Sequence, residues 1–200
     1  ERRRFINLEL CQLNSLYVHS LINYNKILIQ KNKLLKEASF IKEADKMLDI
    51  YDEQLRKYGR EIFEFRDKFI DELNPIINRI HSEISEGKES LKLEYEKCEF
   101  KDLRKEELKL KTTLSGPHRD DMAFYINDMD LRRFGSQGQQ RTAALSLKLS
   151  EIYLVKEKIK DTLSLELYNK LKQASDEERK PKTLVKSKSE KKRLMIILIK

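Results

Sequence analysis

The residues Ser136-Gln137-Gly138-Gln139-Gln140 run directly into a stretch rich in Ala and Leu, and their types and spacing suit one kind of chemistry, the holding of an anion. Ser136 and Gln139 stand three apart, as in a capping box. The Ser oxygen accepts an N–H of the first helical turn while the Gln side chain reaches back. A helix therefore starts near Gln137. Gly138 leaves room for an approaching ligand, and the free N–H groups of the first turn, with the positive end of the helix dipole, favour negative charge there. The same residues also serve as an ordinary helix cap worth about 1 kcal/mol. On these residues alone both readings stand.

A second group, His118-Arg119-Asp120-Asp121, follows Gly116-Pro117. A histidine there could move a proton and the paired carboxylates could hold a metal. The simpler reading is structural, with Arg119 and the two aspartates bridging a hairpin to a neighbouring element. Cys11 and Cys98 have no CxxC partner and no nearby His, which argues against a zinc site or a disulfide framework and fits free thiols in a reducing cytosol.

A nucleotide-hydrolysing P-loop needs glycines whose N–H groups wrap the phosphates, a Lys to neutralise them and a hydroxyl residue to hold magnesium. The one Gly-Lys pair, Gly87-Lys88, has Ser82 in place of the first glycine and Glu89 in place of the hydroxyl residue. The sequence therefore contains no P-loop. The apolar run Leu194 to Ile199 ends in Lys200 rather than in a metal-binding aspartate, and it is too short to cross a bilayer.

The elements that must position these groups are mostly helical. From Ser15 to Lys36, Leu16, Leu21, Leu28 and Leu35 recur at helical spacing, predicting a helix of roughly 33 Å. A second helix is predicted from Phe40 to Tyr58 and a third from Arg60 to about Ser85. Gly59 marks the break between them, and Pro75 should kink or split the third after Leu73. Three such helices suggest an antiparallel arm. Leu91, Leu93 and Tyr95 alternate as in a half-buried strand, and Asp102 to Lys111 reads as a short charged helix. Thr112 to Leu114 reads as extended. Met122, Phe124 and Ile126 form one face of a strand that turns at Asn127-Asp128 and returns through Met129, Leu131 and Phe134. The following helix carries apolar residues on more than one face, so it expects cover on several sides. From Lys172 to Arg193 nine Lys and Arg face four Asp and Glu, which reads as a weakly ordered basic tail.

Ser-Gln-Gly-Gln resembles the signature motif of ABC-type ATPases. The longer string from Phe134 to Leu149, together with Gly116-Pro117-His118-Arg119-Asp120-Asp121, resembles the bacterial RecF family of recombination and gap-repair ATPases. So do Glu1 to Leu10, Asn23-Tyr24-Asn25-Lys26 and Asn32 to Lys36. The resemblance spans about residues 1–160. It implies a mainly α fold with a small β part, in which an antiparallel helical arm joins the signature half of an ABC-type ATPase head, an incomplete P-loop fold. Residues 1–14 would lead in from the head, 15–86 form the arm, 87–160 carry the signature and 161–200 form the basic tail. In such heads two subunits sandwich ATP. The resemblance thus implies that Ser136, Gln137, Gly138, Gln139 and Gln140 meet ATP in trans, its Mg held by the P-loop half.

It further implies a homodimer joined by ATP, binding at DNA gap regions, the mediator partners RecR and RecO, a role in replication, recombinational repair and the SOS response, and a cytoplasmic location without membrane attachment. The chain looks like a middle piece of such a protein, and hydrolysis by it alone is not expected. Two other functions fit the residues: a non-enzymatic helical interaction module using residues 15–85, and a nonspecific basic DNA-binding protein resting on the net charge of +8.

Overall fold

The computed structural model describes residues 2–178, which divide into one unit running to Lys156 and a second beginning at Glu157. In the first unit, α1 (Arg2–Leu13) stops at Asn14. The side-chain oxygen of Asn14 accepts the N–H groups of Leu16 at 2.9 Å and Tyr17 at 3.2 Å and so caps α2 (Ser15–Glu37). A 3-10 turn at Ala38–Phe40 sends the chain into α3 (Ala44–Ile84), a helix of 41 residues.

α3 runs unbroken through both positions expected to interrupt it, so the arm is a hairpin of two helices rather than three. The reason lies in the seam. On α2 the buried residues Tyr17, Ser20, Tyr24, Ile27, Lys31 and Leu34 alternate by three and four, and on α3 Leu55, Gly59, Ile62, Arg66, Phe69 and Leu73 do the same. That alternation keeps one face of each helix toward its neighbour. Gly59 is a seam residue: a Cβ there would strike the ring of Phe100 and lie 3.3 Å from Cδ of Pro117. Its cost to the helix, about 1 kcal/mol against Ala, is offset by the aromatic ring it admits. Pro75 falls on the exposed side, where the lost N–H bond removes one link of the ladder without opening the core.

Two seam positions are charged. Arg66 is buried and donates to Asp120 Oδ2 at 2.6 Å, the Pro117 carbonyl at 2.8 Å, Asn7 Oδ1 at 2.9 Å and the Tyr17 hydroxyl at 3.2 Å. Asp120, also buried, accepts in addition from the Cys98 N–H at 2.7 Å and from the Tyr95 hydroxyl. One guanidinium thus ties α1, α2 and α3 to the 117–120 turn, and a buried charge is tolerable because it is both paired and hydrogen-bonded. Lys31 lies 2.6 Å from both Asp52 of α3 and Glu107 of α4 (Arg104–Leu110). The expected short charged helix is therefore present and docks on the arm. Residues 112–114, expected to be extended, take no strand conformation.

The three-stranded antiparallel sheet has the order β1 (Leu91–Glu96), β2 (Asp121–Ile126), β3 (Met129–Asp130), with Leu91 opposite Ile126 and Tyr95 opposite Met122. The far side of β1 is closed by side chains of α3. Asn74 exchanges two hydrogen bonds with the backbone of Leu93, at 2.8 and 3.0 Å, and Asn78 accepts the Leu91 N–H at 3.1 Å. The turn at Asn127-Asp128 holds both residues at positive φ, +48° and +64°, the mirror-image geometry that two-residue hairpins favour.

The return strand is shorter than expected. After Asp130 the chain forms a helical turn, α5 (Leu131–Phe134), because the Asp130 carboxylate accepts the N–H groups of Arg132 and Arg133 and starts a helix. α6 (Gln137–Glu178) follows. It continues through 161–178, where a weakly ordered tail was expected. The rest of that tail, from 179, and the run Leu194 to Ile199 lie outside the described residues. On α6, Ala143, Ser146, Ser150 and Leu154 are buried, whereas Leu145, Leu149 and Ile152 are 51%, 41% and 64% exposed. Glu9 of α1 is buried near Glu151 of α6. Burial first, then the hydrogen bond and charge of Glu151, push its carboxyl up to about 7 against the attraction of Lys148.

Candidate functional site

The hairpin and α5 deliver a sharp joint at Gly135, whose N–H donates to the Leu131 carbonyl at 3.1 Å. A Cβ at Gly135 would collide with that same carbonyl and with the Leu131 side chain, so only glycine closes α5 this tightly. The capping box expected from the sequence is present. Ser136 Oγ accepts the Gln139 N–H at 3.2 Å, and the Gln139 side-chain oxygen accepts the Ser136 N–H at 2.9 Å. The N–H groups of Gln137 and Gly138 have no acceptor among the described residues, and Ser136, Gln137 and Gly138 are exposed. Ser136 accepts a bond through its oxygen and keeps its own proton available to donate.

Gly138 has open space around it. The nearest atom to a Cβ built there is Ser136 Oγ at 3.8 Å. Unlike Gly59 and Gly135, it is required by no contact inside the chain.

The three glutamines divide. The Gln140 amide donates to the Gly135 carbonyl at 3.2 Å, and the Gln139 amide nitrogen donates to Glu89 Oε1 at 2.8 Å, so both ends of Gln139 are held. Gln137 alone presents an uncommitted side chain. The resemblance implies a ligand for all three; of them, Gln139 is turned toward the loop before β1. Sequence reasoning also missed Glu89, which no motif marks because its partner lies fifty residues away.

In the cluster at 118–121 the two aspartates bridge to Arg66 and Arg2 of other elements, while Arg119 bonds back to the preceding loop. His118 Nε2 donates to the Thr113 carbonyl at 3.1 Å, leaving Nδ1 to accept the Tyr24 hydroxyl at 2.7 Å. The ring is neutral in that arrangement. Burial, joined by Arg119 and Arg3, lowers its pKa against the pull of the Thr113 carbonyl. Asp121 pairs with Arg2, and Arg119 donates to the Thr113 carbonyl at 3.1 and 3.3 Å. Among the described residues no group of His, Cys, Asp and Glu is arranged to hold a metal, and no helix is long and apolar enough to cross a membrane.

Beside the turn, two open hollows of about 600 and 670 Å³ share Arg2 and Arg132. The first reaches Gln140 and Arg133, and the second reaches Arg3 and Arg119. Arg3, Arg119 and Arg132 have no carboxylate partner among the described residues.

The chain is 50% identical over 169 residues to the DNA replication and repair protein RecF of Lachnoclostridium phytofermentans, covering 80% of this chain and 47% of that protein. It is a RecF homologue over four fifths of its length. The RecF of Agathobacter rectalis is 51% identical over 170 residues, with 81% and 47% covered. The solved structure of the recombination mediator protein RecF with ATP, in the RecFOR pathway, superposes with a TM-score of 0.74 at 31% identity, covering 79% of this chain and 47% of that one. No family model matches the chain. The chain spans about half the length of the RecF proteins it matches. Over the matched residues its fold is that of the solved RecF chain, mostly α with a small antiparallel sheet.

Proposed function

We propose that this chain is the arm and signature half of a RecF-type protein of DNA replication, gap repair and the SOS response, acting in the cytoplasm with the mediators RecR and RecO. Its signature turn caps ATP held by the P-loop of a second head. Ser136 donates its hydroxyl to the terminal phosphate, the N–H groups of Gln137 and Gly138 point at the same charge, and the Gln137 side chain lines the pocket. The Mg ion and the attacking water belong to the P-loop half, so ATP acts here as glue between heads and the chain alone does not hydrolyse it. The observation that carries this reading is Gly138, a glycine at a helix start with open space around it and no internal contact to justify it.

The test is ATP-dependent recruitment. Mixed with an intact RecF-type head whose hydrolysis is blocked, this chain should co-sediment when ATP is present and not when it is omitted. Ser136→Arg should abolish recruitment; retained recruitment refutes the assignment. Gly138→Ala should leave thermal stability equal or raised, since Ala favours helix by about 1 kcal/mol, yet weaken recruitment at least tenfold. A helical scaffold would bind with or without ATP.

A second surface favours DNA. Arg3, Arg119 and Arg132, which have no carboxylate partner among the described residues, would take phosphate oxygens of a strand without reading bases. Affinity for gapped DNA should then fall steeply with salt, with the slope reduced by about one for each arginine replaced.

A further inference from the structure

Gln139 is the third residue of α6, where a capping box accepts Glu as readily as Gln. A carboxylate would even gain from the helix dipole at that position. The surroundings explain the amide. Its oxygen faces the Ser136 N–H at 2.9 Å and its nitrogen donates to Glu89 Oε1 at 2.8 Å, so it serves as acceptor at one end and donor at the other. A carboxylate has no donor for Glu89.

Glu89 is itself braced. Its second oxygen lies 3.2 Å from His81 Nε2, and because a carboxylate only accepts, Nε2 carries the proton of that bond. His81 is fully buried in the last turn of α3, and its Nδ1 meets the Ser146 hydroxyl of α6 at 2.9 Å. The backbone of Glu89 is fastened to the same helix end: its N–H donates to Ser85 Oγ at 3.2 Å. The line Ser146–His81–Glu89–Gln139–Ser136 therefore runs from the interior, through the root of the arm, to the tip of the signature turn.

We propose that Glu89, braced by His81, is a positioning residue for the signature: it fixes the Gln139 amide, through it the Ser136 cap, and so makes the conformation of the turn depend on the end of α3. Glu89 touches no ligand in this arrangement and acts only through Gln139. Any consequence for ATP rests on the reading given under Proposed function, but the positional role does not.

The experiment measures solvent exchange of the Ser136 and Gln139 amides by NMR in the chain alone, followed by ATP-dependent recruitment of the same variants. Glu89→Ala and Gln139→Glu should each speed exchange of those two amides about fivefold or more, while amides in the middle of α3 stay within twofold of the parent. The exchanged pair, Glu89→Gln with Gln139→Glu, restores a donor facing an acceptor and should return exchange to within twofold. General loss of packing would not be rescued by that swap. If the single variants leave the two amides unchanged, or if the double variant is as fast as Gln139→Glu alone, the positional role is wrong. Should Glu89→Ala unfold the chain, the swap decides by itself. Where exchange responds as expected but no variant or parent is recruited by ATP, the signature reading fails and the positioning stands.

Discussion

At the scale of single residues, the buried charges of this chain are held by different means. Arg66 and Asp120 neutralise each other and saturate their hydrogen bonds, whereas Glu9 shares its surroundings with a second carboxyl and is pushed up to about 7. A raised carboxyl pKa means that the folded state binds its proton more tightly than the unfolded chain. The stability Glu9 contributes is therefore complete below about pH 4.5 and is lost as pH rises through about 7. His118 works in the opposite sense, since its lowered pKa favours the fold as pH rises. The two are separated by mutation. In Glu9→Gln the melting temperature should exceed that of the parent at pH 8, and the gap should close toward pH 4.5. An equal difference at both pH values would show that Glu9 does not titrate in this range.

Elements tell which parts of the fold were legible from the sequence alone. α2, β1, α4, the hairpin turn and the start of α6 were readable because each is set by local rules: periodicity, alternation, a turn dipeptide, a cap. Gly59 was misread because its local preference and its tertiary role oppose each other, and the aromatic it accommodates is forty-one residues away. The three-four alternation of buried residues passes straight through it and was the signal that could have outweighed the glycine. The return strand was overextended for the reverse reason, since a local cap at Asp130 overrode the apolar pattern of Leu131 and Phe134. Gly59→Ala should destabilise the parent by about 1–2 kcal/mol through overpacking. In a Phe100→Ala background the same change should stabilise by about 0.5–1 kcal/mol as helix propensity takes over. Chemical denaturation of the parent and the three variants checks the change of sign.

For the whole molecule, the exposed residues Leu145, Leu149 and Ile152 follow the three-four spacing along one side of α6. The sequence leads one to expect cover on several sides of that helix, and among the described residues this side is left about half exposed. Such stripes drive association. The chain should sediment as concentration-dependent oligomers, and replacing all three with Ser should leave it monomeric with a melting transition within about 1 kcal/mol of the parent, since the lost groups are already half in water. The candidate site was legible to the extent that its cap and its glycine are contiguous. Its brace at His81 and Glu89 was hidden because the chain must fold before those residues meet.

The amides of Asn74 and Asn78 occupy the border of β1 where another strand would otherwise add, and the opposite border is a ribbon of only two residues. Among the described residues these borders leave an incoming strand only the short Asp121–Phe124 stretch of β2 beyond the ribbon, a poor template for growth. Association through the described residues should therefore proceed mainly through helix surfaces and reverse on dilution, which sedimentation at falling concentration checks.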